Sequence, residues 1–320
     1  MKSSTTLLLS LCVIILTSLV CNGQLSGQIF YNLNTASNQL NAFSFSNRQY
    51  NTTVVETLGG THIIAVVQGN YDSYDNRYVV YLDSTEQLNV GYLNVETGNL
   101  TNVGTYQIPS YLIVDQLIPS SFGFDVVSQY LYCTVVFNTR VAVLTLDMNS
   151  IPSLDYTRVS TTATDATTGT FDPVSGTYFI LTVVLNQYYV ITYNTQTQMF
   201  DNTYPVSSQW PVYSEYQSAI VAYNGLSYIV QLVPPATSYV FQVNLIADKS
   251  SLTPLTSINL PSYYYNVNSA TINGEFIFFV SSGLNIPNAI LGAYQLNGFS
   301  TSTIQLPYDI SSNDIVFVKN

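Results

Sequence analysis

The sequence predicts an all-β protein: a six-bladed β-propeller of four-stranded antiparallel blades, its ring closed by the C-terminal strand pairing into the first blade. Three observations lead there. Val, Ile, Thr, Tyr and Phe dominate, and few stretches show the apolar spacing of three and four that marks a helix. A strand–turn–strand unit recurs along the chain. The first unit is one strand short, while the last strand has no successor.

The recurring unit is clearest where Phe124-Asp125-Val126-Val127-Ser128-Gln129-Tyr130-Leu131-Tyr132 is echoed by Phe171-Asp172-Pro173-Val174-Ser175-Gly176-Thr177-Tyr178-Phe179. Looser copies run from Val221 to Tyr228 and from Thr271 to Phe278. Each copy is followed by a short loop, a third strand (140–147, 188–194, 239–245 or 290–296) and a weaker fourth. Four strands per unit is the propeller blade. First strands are expected near His62, Ser121, Thr167, Tyr216 and Val267, and a final one near Ser312. Those starts are 59, 46, 49, 51 and 45 residues apart, against ~40–50 for a blade. An insertion at 69–76 accounts for the long first interval.

At the N-terminal end, residues 28–31, 40–46 and 51–56 supply three strands. The lone strand at 314–318 completes that blade as its innermost member and removes the exposed edges of an open sheet. Two stacked β-sandwiches are the alternative, since counting strands does not separate the two. The repeats resemble the six-bladed propeller superfamily that includes the TolB-like, NHL and gluconolactonase-type proteins. The resemblance implies an architecture and leaves function open.

Residues 1–23 read as a signal peptide: Lys2, an apolar run from Leu7 to Val20, then small residues at Cys21 and Gly23. The run is 14 residues long, too short for the ~20 that span a bilayer. Residues 24–320 are then one secreted, extracellular domain with no membrane insertion. The full chain holds 7 basic and 18 acidic side chains, and Lys2 leaves with the signal. Nucleic acid and anionic lipid reward clustered Lys and Arg, so such an acidic chain suits neither. Cys133 is the lone cysteine of the mature chain. It reads either as a small buried hydrophobe or as a reactive or intermolecularly linked thiol. Asn51 and Asn99 head N-x-[ST] sequons and are expected glycosylation sites.

Catalytic inventory is thin. His62 is the single histidine, and no G-x-S-x-G elbow occurs. Position puts His62 where an inner strand begins at the central channel, as a structural residue or a catalytic one. Zinc lacks a ligand set. The oxygen ligands Asp165, Glu215, Asn268 and Asp314, from four blades, suit Ca²⁺ if they converge on the axis. Gluconolactonase-type propellers hold a catalytic metal in that way, as the resemblance implies. Otherwise these are solvated loop groups. Trp210, Tyr213 and Tyr216 fall in one connection leading to an inner strand, and Tyr263, Tyr264 and Tyr265 in another. Flat rings beside amides and carboxylates suit sugar recognition, although 27 tyrosines equally suit packing between blades.

Three readings stay open. The first is a monomeric, non-enzymatic binding protein whose ligand is a glycan or an extracellular protein, with no cofactor. The second is a metal-dependent hydrolase or lactonase-like enzyme with Ca²⁺ in the channel. The third is a structural matrix or coat component.

Overall fold

The computed structural model describes residues 29–34, 39–44, 49–54, 62–71, 76–108, 117–137, 140–149, 153–162, 167–184, 187–206, 218–233, 237–244, 251–259, 264–268, 276–282, 289–296, 300–307 and 315–319. Among them run 24 strands: β1 Ile29–Asn34, β2 Gln39–Ser44, β3 Tyr50–Val54, β4 His62–Tyr71, β5 Asn76–Leu82, β6 Leu88–Asn94, β7 Leu100–Tyr106 and β8 Gly123–Asp125. These are followed by β9 Tyr130–Phe137, β10 Arg140–Asp147, β11 Ser153–Thr162, β12 Thr168–Asp172, β13 Thr177–Val184, β14 Gln187–Asn194, β15 Met199–Val206 and β16 Ser218–Tyr223. The last eight are β17 Leu226–Val233, β18 Thr237–Asn244, β19 Ser251–Asn259, β20 Tyr264–Asn268, β21 Phe276–Ser282, β22 Ile290–Gln295, β23 Ser300–Gln305 and β24 Ile315–Lys319. A single 3-10 turn, Pro119–Ser121, is the one helical element among the described residues. No helix there is long and apolar enough to cross a membrane. The proposed signal, residues 1–23, lies outside the described residues.

Strands pair antiparallel with their chain neighbours in groups of four: β12–β15, β16–β19 and β20–β23 each form a sheet. In the first group β24 pairs with β1, from Ile29 opposite Lys319 to Leu33 opposite Ile315, giving the order β24-β1-β2-β3. The groups β4–β7 and β8–β11 share one eight-stranded sheet, joined by a parallel bridge from Gln68 to Gly123. The sequence does not announce that bridge. The expected insertion at 69–76 is shorter than predicted, because Gly69, Asn70 and Tyr71 extend β4. Val66 sits opposite Val79 and Tyr71 opposite Arg77, so β4 takes up its extra residues as an irregularity in register.

The core lies between groups rather than within one. Because side chains alternate across a strand, each strand feeds two seams. On β9, Leu131, Cys133 and Val135 pack toward the β4–β7 group, while Tyr132 packs toward β12–β15. On β13, Tyr178 and Ile180 face back to β8–β11, and Phe179, Leu181 and Val183 face on to β16–β19. Further clusters join β24-β1-β2-β3 to β4–β7, and β16–β19 to β20–β23. β20 also lies against β24.

Buried tyrosines tie the seams. Burial favours a ring whose hydroxyl still finds a partner. Tyr106 donates to the Asp147 carbonyl (2.9 Å), Tyr132 to the Thr195 carbonyl (3.4 Å) and Tyr178 to the Ser121 carbonyl (2.6 Å). The Tyr188 and Ser218 hydroxyls lie 2.6 Å apart. Each pair spans two groups. Desolvation pushes the Tyr106, Tyr132 and Tyr188 hydroxyls up to about 12, so they stay neutral as packing groups. Much of the tyrosine content is therefore spent on packing.

Candidate functional site

The innermost strands of neighbouring groups run in one direction. Near their starts, the Ser120 and Thr168 hydroxyls are 3.3 Å apart, and Tyr188 reaches Ser218. Toward their ends, the Gly225 amide donates to Asp172 Oδ2 across two groups (3.0 Å). The molecule therefore has a strand-start end and a turn end, and loops at one end are separated from loops at the other by the length of a strand.

His62, exposed, is the first residue of β4 and sits opposite Leu82, so it stands at the strand-start end as expected. Of the expected aromatic face, Trp210, Tyr213, Tyr216 and Tyr263 lie outside the described residues. Tyr264 and Tyr265 belong to β20 itself, opposite Ser282 and Ser281, rather than to the connection before it. The run of tyrosines is simply good strand material, and the strand begins earlier than the sequence suggested. Among the metal candidates, Asp165, Glu215 and Asp314 lie outside the described residues, each just before an inner strand in the chain. Asn268 is instead the last residue of β20, about 13 Å along the strand from its start at ~3.3 Å per residue. Its strand therefore does not bring it to the end at which the other three are expected. Among the described residues no group of three or more His, Cys, Asp or Glu is arranged to hold a metal.

The strand-start end of the β8–β11 and β12–β15 groups is lined by a hydroxyl lattice. Tyr178 donates to the Ser121 carbonyl and accepts from the Thr134 hydroxyl (2.9 Å). The Thr134 amide donates to Ser121 Oγ (2.9 Å), and Ser121 Oγ donates to the Ile118 carbonyl (2.7 Å). Thr167 and Thr182 hydroxyls lie 3.0 Å apart. Gly169 belongs to this lattice by necessity, since a Cβ there would collide with the Thr134 hydroxyl and lie 2.5 Å from the Tyr178 hydroxyl. Every member already has a partner, so the lattice sets spacing and holds no free reactive group.

Cys133 is buried, as the sequence suggested, with Ser121 Oγ 3.5 Å away. Desolvation pushes its thiol up to about 12, the nearby Ser121 hydroxyl offsetting only part of that. A thiol so placed is unreactive. In the native protein, an aromatic disulfide reagent is expected to modify Cys133 at least ~100-fold more slowly than in urea, as burial and the lost thiolate fraction require. Comparable rates in the two states would contradict the buried placement.

The carboxylates are similarly engaged. Asp83 accepts from the Thr85 hydroxyl (2.6 Å), the Thr85 and Gln87 amides (2.8 and 3.1 Å) and the Asn89 side-chain amide (3.1 Å). These bonds, the Thr85 hydroxyl first, hold its carboxyl down to about 2. Asp125 accepts from the Val127 amide and the Ser128 hydroxyl, and Asp147 from the Asn149 amide. Asp172 is fully buried and accepts from the Val174, Ser175 and Gly225 amides. The repeated Phe-Asp-x-Val-Ser pattern thus encodes a turn. Gln129 and Gly176 occupy its left-handed position (φ 59° and 62°) and donate to the Asp125 and Asp172 carbonyls. The β16–β17 copy shortens this to Asn224-Gly225, both at positive φ, a two-residue hairpin turn. Sequence reasoning found the repeat but not that one of its aspartates crosses to the neighbouring group. Nothing local to Asp172 signals that crossing.

Both sequon asparagines are exposed. Asn51 lies on the outer strand β3 opposite Ala42, and Asn99 follows the turn after β6.

Comparison with solved structures settles the architecture. TolB from Acinetobacter baumannii superposes with a TM-score of 0.54 at 12% identity, over 91% of this chain and 67% of that one. The fold is a β-propeller. The Nidogen/Laminin complex gives 0.52 at 12% identity, over 91% of this chain and 97% of that one. A candidate 6-phosphogluconolactonase from Bacteroides uniformis gives 0.52 at 14% identity, over 91% and 84%. At such identities the likeness shows the fold alone. No protein-family model matches the sequence, and no curated protein matches it in a sequence comparison. The four-strand groups are accordingly propeller blades.

Proposed function

We propose that the chain is a secreted six-bladed propeller, closed by β24 beside β1, that works by binding a glycan or an extracellular protein at its strand-start end. One observation carries the preference for binding over catalysis. Cys133, the seam tyrosines and four aspartates of the described frame are consumed by structure: Cys133 is buried with a raised pKa, the seam tyrosines are neutral, and Asp83, Asp125, Asp147 and Asp172 accept hydrogen bonds from their own turns. Secretion is supported by the pattern of residues 1–23 and by two exposed sequons. Closure of the ring is supported by the β24–β1 pairing and by β20 lying against β24. A complex of nidogen with laminin is among the similar folds, so the scaffold is compatible with protein ligands.

The aromatic residues Trp210, Tyr213, Tyr216 and Tyr263 are the ligand contacts in this reading. On a glycan array, the secreted protein is expected to give a defined set of hits. Trp210→Ala and Tyr216→Ala are each expected to weaken them by ~30-fold, as truncation of an aromatic anchor does. The enzyme reading predicts otherwise: lactone or ester hydrolysis that needs added Ca²⁺, is abolished by Asp165→Asn or His62→Ala, and survives Trp210→Ala. That outcome, or an array with no signal above background, would overturn the glycan-binding reading.

A further inference from the structure

The turn end of the propeller carries exposed valines that its turns do not require. In the β8–β9 turn Val126 is 61% and Val127 89% exposed, and in the β12–β13 turn Val174 is 68% exposed beside exposed Pro173. Leu226 closes the β16–β17 turn at 42% exposure. The turn bonds are made by Asp125, Ser128 and Gln129, and by Asp172 and Gly176. Polar residues would serve at the valine positions equally well, since none of these bonds uses a valine.

These turns lie side by side. Gly123 is packed against Phe171, so closely that a Cβ on Gly123 would meet the Phe171 Cβ at 2.5 Å. The Gly225 amide reaches Asp172. Three consecutive blades therefore present exposed apolar side chains in neighbouring turns at one end of the molecule, a strip of the kind that marks interaction sites.

The rim of the strip carries one sign of charge. Asp125 and Asp147, half-buried, and Asp201, exposed, stand in or beside the turns at this end of the β8–β11 and β12–β15 blades, and the described residues of those turns include no Lys or Arg. The whole chain carries a formal charge of −11. A second copy would bring the same charge to the contact, and an anionic membrane would be repelled. We propose that this strip docks a basic segment of a partner protein, one whose aliphatic side chains seat on the valines while its lysines or arginines meet the aspartate rim. An apolar centre within a charged rim is the usual anatomy of a protein interface. The proposal is independent of Trp210, Tyr213, Tyr216 and Tyr263.

The test uses the full chain on a biosensor with three synthetic peptides of equal length: alternating Lys and Val, alternating Glu and Val, and alternating Lys and Ser. The Lys/Val peptide is expected to bind, more weakly as salt rises, with the Lys/Ser peptide at least ~10-fold weaker and the Glu/Val peptide silent, because both halves of the contact are needed. Val127→Ser/Val174→Ser, in exposed positions, is expected to keep the wild-type urea midpoint and lose ~10-fold or more of Lys/Val binding. Trp210→Ala should leave that binding unchanged. No binding of the Lys/Val peptide, equal binding by the valine variant, or equal binding of the Glu/Val peptide would each overturn the proposal. So would a valine-dependent dimer in sedimentation, which would assign the strip to a second copy, or valine-dependent binding to phosphatidylcholine vesicles, which would assign it to a membrane.

Discussion

Gly123→Ala is expected to lower stability by about 3 kcal/mol, the top of the range for overpacking a core. Its new Cβ would sit 2.5 Å from the Phe171 Cβ and 3.3 Å from the Phe171 amide nitrogen. A clash with the tip of a side chain relaxes by rotation, but a Cβ moves only with its backbone. Here that backbone is β12, which is held by its pairing to β13 and by contact with β16. Urea unfolding of Gly123→Ala, Phe171→Gly and the double variant checks the cause. In the Phe171→Gly background the added methyl should cost under ~1 kcal/mol, since its obstacle is gone. Equal costs in both backgrounds would mean that blade approach is not what excludes a side chain at position 123.

Asp172→Ala is expected to cost a similar ~3 kcal/mol by a different route. Removing this buried carboxylate deprives the Val174, Ser175 and Gly225 amides of their acceptor and leaves a void beneath the turn, an unsatisfied donor being worth ~1–3 kcal/mol. Asp125 is the useful comparison, because it fills the same position of the same turn. It is only half-buried, and its bonds stay within its own turn. Asp125→Ala should therefore cost about 1 kcal/mol, in the range of a lost cap. Asp172→Asn keeps an oxygen for the Ser175 and Gly225 amides and should fall between the two. Faster hydrogen exchange at the Gly225 amide in Asp172→Ala would report the loss of the bond across the seam. Equal destabilisation by the two alanine variants would contradict the role assigned to the crossing.

Much of this architecture is legible in the chain because period-two alternation and turn chemistry are local. The strands expected near His62, Ser121, Thr167, Tyr216, Val267 and Ser312 begin at His62, Gly123, Thr168, Ser218, Tyr264 and Ile315, within three residues of where the repeats put them. The third strand at Arg140–Asp147 was bounded by a charge at each end and recovered whole. The Cys133 environment followed from its apolar neighbours. Features that depend on two distant segments did not show. The Gln68–Gly123 bridge, the Asp172–Gly225 bond and the need for glycine at 123 and 169 all arise from how one blade leans on the next. Asn268 stands at the far end of β20 for a related reason, since shifting the start of β20 by three residues sends a group to the other end of its strand. The Val126, Val127 and Val174 side chains were read only as part of a repeat. Their exposure is a property of the turn, and hydropathy gives no sign of it.

Alternation along each strand has a consequence for how such a chain tolerates change. Tyr132 and Cys133 are neighbours in sequence, yet they belong to different seams. Among the described residues, the seam between β8–β11 and β12–β15 holds seven fully enclosed side chains, and the next seam a separate set of eight buried ones. A substitution in one set calls for an answering substitution in that set alone. The molecule can therefore drift seam by seam, each jigsaw re-cut without disturbing the others. Over long divergence such blades can keep their shape while their letters scatter.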